Sequence, residues 1–187
     1  MSNSPLSISE LEKRMRPGAM SDGGFLGPTE SLEAVLAKDR RTLEEAQVTY
    51  DQVADALERV LQSALDQQQH LVEGTLQVFL TKYRGFQPCP WCGDSTWGYF
   101  DFLILNRRTG EQITGPGLIV HLIREHHFFE GIDSPYRVEP ISAIRVLELG
   151  PDLIEPVQLP SAPPSDWFQA IGIPSPSAVF SLAVSHW

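Results

Sequence analysis

Two cysteines separated by two residues, in Cys89-Pro90-Trp91-Cys92, and the imidazoles of His121-Leu122-Ile123-Arg124-Glu125-His126-His127 are the side chains best placed to do chemistry. Thiolate sulfur and imidazole nitrogen are the donors zinc takes in a tetrahedral site, and a Cys-x2-Cys loop followed by two histidines a helical turn apart is the spacing that closes one. Gly93 supplies the tight turn after the second thiolate, and Pro88 and Pro90 stiffen the approach. His121 and His126 stand five positions apart, so bringing both rings to one centre calls for a loosened final helical turn; His127 projects further round. The expected ligands are therefore Cys89, Cys92, His121 and His126, with His127 as the substitute for His126. Four protein ligands leave no position for water, and the zinc expected here is structural.

Rival chemistries use the same residues. Cys-Pro-Trp-Cys resembles the active-site motif of thioredoxin-like thiol-disulfide oxidoreductases, in which a helix N-terminus activates the first thiol. Here Gly93-Asp94-Ser95-Thr96 and a strand follow, and no βαβ frame precedes. Pro88-Cys89 to Cys92 also matches one half of the zinc nucleoside deaminases, which need a His-x-Glu upstream. The upstream histidine, His70, is followed by Leu71-Val72-Glu73, at the wrong spacing. A reduced thiol pair and hydrogen-bonded histidines without metal are the plainest alternative, made weaker by four ligand-type side chains in one segment. No Ser/His/Asp set or Gly-rich phosphate loop is present.

The elements that must position these residues divide into four stretches. Residues 1–28 hold Gly and Pro at helix-breaking density and are expected to form an irregular arm, with a short helix over Ile8 to Met15 and Phe25-Leu26 as an apolar plug docking on the helices that follow. Residues 29–72 form a helical segment: Thr29 or Ser31 caps a helix carrying Leu32, Val35, Leu36 and Leu43, and a second begins near Thr49 or Asp51 with Val53, Leu57, Val60, Leu61, Ala64 and Leu65 on one side. Residues 73–150 change to period two. Leu76, Val78 and Leu80 mark one strand and Trp97 to Leu105 a second; Asn106 to Gly110 turn into a return strand over Glu111 to Thr114, which Gly115-Pro116-Gly117 ends. Leu118 to His126 then form a helix, stopped before Gly131, and Pro140 opens a last one through Leu147. Residues 151–187 are proline-rich yet apolar, with Trp167, Phe168 and Phe180 as anchor points separated by loops. The expected fold is α+β: a helical pair packed with a small antiparallel sheet and a helix that carries the Cys2His2 site, followed by an irregular tail.

Composition bounds the function. The net charge is −10, and hydrophobic content of 42% with charged content of 20% is that of a soluble protein. No apolar run approaches the length needed to span a membrane. Met1 to Glu10 lacks a basic start and a continuous apolar stretch, so the expected location is cytoplasmic, where a Cys-x2-Cys pair is a metal clamp rather than a disulfide. Acidic residues predominate in 1–73 and 151–187 but nearly balance basic ones in 74–150, which argues against a dedicated nucleic-acid binder.

Met15-Arg16-Pro17-Gly18, Gly24-Phe25-Leu26-Gly27, Cys89 to Cys92 and Gly115 to His126 together resemble a set of uncharacterised bacterial proteins, over residues 15–150. That resemblance implies the choice of His121 and His126, since its pattern does not require a histidine at 127, and implies no function. The zinc segment also resembles an elongated ββα zinc finger. The expectation is a non-enzymatic, zinc-stabilised binding module with a protein partner. The second expectation is nucleic-acid binding through Lys82, Arg84, Arg107, Arg108 and Arg124, with Trp97, Tyr99 and Phe102 as stacking faces.

Overall fold

Capping side chains set where the helices begin. In a computed structural model of the chain, which describes residues 6–67 and 70–150, Ser7 accepts from the Glu10 N–H while the Glu10 carboxylate takes the Ser7 N–H at 2.9 Å, a reciprocal box that opens α1 (Ile8–Met15). Ser31 caps α2 (Leu32–Glu45), and Thr49 with Gln52 repeats the box at α3 (Tyr50–Asp66). Pro140, whose missing N–H has no partner to lose in a first turn, opens α5 (Pro140–Val146). Between them lie β1 (His70–Glu73), β2 (Leu76–Lys82), β3 (Phe100–Asn106), β4 (Gln112–Pro116) and α4 (Ile119–His126).

The four strands form one antiparallel sheet in chain order. Register places Leu71, Val78, Ile104 and Ile113 in a row across it, with Leu80 opposite Phe102; directly opposed residues share a face, and all six are buried. Each such side chain contributes about 1.5–3 kcal/mol of transfer free energy. Helix α3 packs against β1, β2 and α4, while α5 packs against α2, β3 and β4. The α+β architecture expected from the sequence is the one observed. Its helical and sheet parts share one buried cluster, and the described residues fall in one unit, Met1–Val157.

Several boundaries differ from expectation. His70–Glu73 is a strand, although it falls in the stretch assigned to helix, because it folds back through Gly74-Thr75 to pair Glu73 with Leu76 and His70 with Phe79. A four-residue strand is too short to display a period. Strand β3 starts at Phe100 rather than Trp97, and β4 continues to Pro116, which an edge strand tolerates because its outer side donates to no neighbour. The proline-rich tail and its anchors at Trp167, Phe168 and Phe180 lie outside the described residues.

The arm of residues 1–28 is folded into the domain. Phe25 and Leu26 are buried as expected, and the backbone that holds them belongs to a loop more than 100 residues away: Gly131 N–H donates to the Phe25 carbonyl at 2.7 Å and the Ser134 hydroxyl to that of Gly24 at 3.0 Å. The Arg16 guanidinium donates to the carbonyls of Gly27 and Glu30, and the Glu30 carboxylate accepts from the N–H groups of Gly27 at 2.6 Å and Ile132 at 2.8 Å. Arg16, the turn over residues 27–30 and the start of the 131–134 loop are thus tied by charge-assisted bonds.

Asn106 does comparable work at the other end of the sheet. It is fully buried; its amide donates to the Val146 carbonyl at 3.0 Å and to Glu148 at 2.7 Å, and its oxygen accepts from the N–H groups of Arg108 and Thr109. Asn106→Ala strands a carbonyl and two turn N–H groups, and should lower stability by roughly 2–3 kcal/mol in urea unfolding. Asn106→Asp, which retains the acceptor and loses the donor, should not restore it; full stability in either variant would show that water replaces the amide.

Glu130 is 1% exposed and sits at φ 69°, a conformation few non-glycine residues adopt. Burial pushes its carboxyl up to about 8, the Asp101 charge pushes the same way, and the Ser134 hydroxyl and Arg137 oppose them. The folded protein therefore keeps a proton there that the unfolded chain gives up near 4.5. Stability from this group is complete below pH 4.5, falls as pH rises towards 8 by up to about 1.4 kcal/mol per unit, and is level above. Glu130→Gln should flatten that slope in urea melts between pH 5 and 8. An unchanged slope would mean that Glu130 ionises at its ordinary pH.

Candidate metal centre

The thiol loop, residues 83–99, joins β2 to β3. Its arms are drawn together by the Tyr83 N–H on the Tyr99 carbonyl at 3.1 Å and the Gln87 N–H on that of Gly98 at 2.7 Å. Residue 98 must be glycine, since a Cβ would stand 2.1 Å from the Gln87 oxygen. At the tip the Gly93 N–H donates to the Cys89 carbonyl at 2.9 Å and the Cys89 N–H to that of Asp94 at 2.7 Å. Gly93 takes φ +79°, as the tight turn expected there requires. The loop leaves Cys89 buried and Cys92 exposed.

Helix α4 brings the imidazoles. The ligand atoms of Cys89, Cys92, His121 and His126 all lie within 4.8 Å of one another, with Cys92 Sγ 3.2 Å from His121 Nε2. A tetrahedral zinc with its usual bond lengths spaces such donors about 3.3–3.8 Å apart, so small side-chain rotations close the set. The helix stays α-helical through His126, and the expected loosening of its final turn does not occur. The His126 ring is instead held flat against Trp91, centroids 4.5 Å apart and planes 6° from parallel, and Trp91 meets Phe128 edge-on. The tryptophan inside the Cys-x2-Cys loop therefore sets the angle of the His126 ring, a role its position did not disclose.

His127 is excluded. It adopts the left-handed conformation that ends α4, φ 54°, and its ring stacks on Tyr50 at 4.1 Å. The helix thus stops at His127, well before Gly131.

One atom tests whether these residues suit a metal. His126 Nε2 is, among the described residues, the only buried side-chain nitrogen or oxygen with no hydrogen-bond partner. A buried polar atom left so costs about 1–3 kcal/mol, and a cation at the centre of the cluster would supply its partner. Burial, with help from His121, pulls the His126 imidazole down to about 4, so its ring is neutral and a lone pair is available. Burial likewise pushes the Cys89 thiol up to about 11. The next element after the loop is a strand, β3, where a thioredoxin-like site has a helix N-terminus. A divalent cation inverts the balance, because a coordinating thiol is deprotonated outright.

The residues expected to contact nucleic acid are only partly free. Arg124 pairs with Asp55 at 2.6 Å and Glu58 at 2.8 Å, and Arg108 pairs with Glu148 at 2.9 Å. Phe102 is buried in the core and offers no stacking face; Trp97 and Tyr99 are half-buried, edge-on to Phe100. Lys82, Arg84 and Arg107 are exposed. No helix of the described residues is long and apolar enough to cross a membrane. Comparison of the chain with protein-family models, with curated proteins and with solved structures gave no match.

Proposed function

We propose that Cys89, Cys92, His121 and His126 bind one structural zinc ion and that the chain is a non-enzymatic binding module acting on a protein partner in the cytoplasm. The observation that carries the metal reading is the orphaned His126 Nε2 inside a cluster of two sulfurs and a second imidazole. Zinc is favoured over other divalent ions because mixed thiolate and imidazole donors in a tetrahedral arrangement are its usual set. With four protein donors the ion has no position for a substrate, and its contribution is to fasten the β2–β3 loop to α4. Substitution of cobalt tests the geometry: the Co2+ form should show the intense visible bands of a tetrahedral S2N2 site, and weak octahedral bands would reject it.

The binding role rests on the same economy. A metal that only fastens a loop leaves recognition to the surface. Two of the five basic residues that would attract nucleic acid, Arg108 and Arg124, are already neutralised by acidic partners. Affinity capture with the full chain and with a chain lacking 151–187 tests the partner reading. Retention of nucleic acid that weakens steeply with salt would overturn it in favour of phosphate contacts.

A further inference from the structure

A second site shares no residue with the metal centre. Beside the end of β2 and the start of the thiol loop lies a cavity of about 410 Å³, in the size range of small-ligand pockets, lined by Phe25, Tyr83, Phe86, Asp101, Glu130 and Tyr136 among others. Four stretches of the chain build it: the docked arm, the β2–β3 region, Pro116 and Leu118 between β4 and α4, and the 130–136 loop.

Its rim is aromatic. Among the described residues seven large apolar side chains are exposed, and the three aromatic ones, Tyr83 at 39%, Phe86 at 70% and Tyr136 at 41%, all line this cavity. Large rings left in water around one opening mark a contact surface rather than random exposure. Its lining holds two carboxyl groups against the single cation Arg84. Asp101 and Glu130 both line it, and the Asp101 charge is felt at Glu130. Arg137, the cation that also reaches Glu130, is committed elsewhere: its guanidinium grips both oxygens of Asp39, the Glu139 carboxylate and the Glu130 main-chain carbonyl. Arg84 lies on the rim, exposed, with no ion pair among the described residues. Glu130 is held there against its backbone preference at φ 69°, and strain of that kind concentrates at ligand sites.

We infer that this cavity binds a guanidinium group, with Asp101 and Glu130 as its carboxylate partners and the Tyr83, Phe86 and Tyr136 rings as stacking faces. A planar cation satisfies both halves of the lining, since guanidinium pairs with carboxylates through its fork of N–H groups and stacks on aromatic faces. An ammonium group meets the charge but not the planarity. The group can arrive on a free small molecule or on an arginine of a protein partner. A free molecule that also carries a carboxylate gains from Arg84.

Protonation follows from the lining. The groups facing Glu130 are Asp101, the Ser134 hydroxyl and Arg137, and in the empty cavity its carboxyl holds a proton at neutral pH. Binding a cation there expels that proton. Affinity should rise with pH by up to about tenfold per unit below pH 8 and level off above it.

Isothermal titration of the full chain with agmatine, L-arginine and a blocked Gly-Arg-Gly peptide tests the inference. Saturable binding of at least one probe is expected, with one proton or less released at pH 7, read from the dependence of the heat on buffer ionisation. Tightest binding by L-arginine identifies a free amino acid as the source, by agmatine a free cation, and by the peptide a partner's side chain. Asp101→Asn and Glu130→Gln should each weaken that probe at least tenfold while leaving the metal content unchanged, and Phe86→Ala should weaken it several-fold. Heat from none of the three probes would overturn the proposal. So would affinities indifferent to Asp101→Asn and Glu130→Gln, or equal binding of uncharged butanol.

Discussion

Protein purified without chelator is expected to carry about one zinc per chain, and Cys89→Ser or His121→Ala is expected to lose it together with several kcal/mol of stability. Ligand deletion has this effect because the remaining three donors hold the ion weakly and leave His126 Nε2 buried without a partner. In zinc-finger peptides the metal supplies about 10–16 kcal/mol of apparent binding free energy and with it the whole fold. Here the sheet, α2 and α3 have a buried core of their own, so the expected loss is partial. The thiol loop and the end of α4 should loosen first, because the proposed zinc would bridge them at all four donors. A fall in melting temperature of roughly 10 °C or more is the scale for a domain of this size. His127→Ala separates the two adjacent imidazoles: it should keep the zinc and lose only the stack on Tyr50, whereas His126→Ala should lose the ion. Metal-free protein with an unchanged unfolding midpoint would reject the site.

Breaking the Asp39–Arg137 pair should be the costliest single change away from the metal. Arg137 meets Asp39 with two parallel bonds, at 2.5 and 3.1 Å, and the side chains are only 6% and 1% exposed. Burial raises the Asp39 carboxyl, but the bidentate guanidinium holds it ionised; the same pairing, with Glu139, outweighs burial at Arg137 and keeps that group charged. Removing either partner leaves a charge in the interior. Arg137→Ala or Asp39→Ala should therefore cost about 3–5 kcal/mol in urea unfolding. Arg137→Ala also deprives the Glu130 carbonyl of its donor and so should loosen the 130–137 loop. The double variant Asp39→Leu/Arg137→Met should recover most of the loss, because replacing a buried pair by apolar groups of similar size removes the desolvation cost along with the attraction. Equal destabilisation in the double variant would mean that the pair contributes chiefly through its bonds to neighbouring groups.

The pair also illustrates why sequence and structure inform different things. Asp39 and Arg137 stand 98 positions apart, and neither has a local feature that marks it. Asp39 occupies the apolar side of α2, between Val35 and Leu43, where a periodicity argument expects a hydrophobic residue. Only the partner explains it.

What the sequence determined by itself is everything whose cause is local. Ser31, Thr49 and Pro140 start their helices because capping and the missing proline N–H act within one turn, and Leu76, Val78 and Leu80 announce a strand because alternation is a property of consecutive residues. Cys89 and Cys92 converge because a four-residue turn closed by Gly93 leaves their sulfurs little choice, and the x3–5 rule was enough to nominate His121 and His126. Tertiary structure decided the rest. It placed His127 in a left-handed cap against Tyr50 and turned His126 onto Trp91; it made a strand of His70–Glu73 by pairing it with β2. It buried Glu130 beside an arm contributed by Phe25 and assembled the aromatic cavity. Apart from the β1–β2 hairpin, whose first strand is too short to show a period, these outcomes depend on contacts between residues separated by tens of positions, where the free energy lies in burial and in charge pairing across the fold. No local pattern encodes which distant side chain will complete a contact, so they became visible only once the chain had closed on itself.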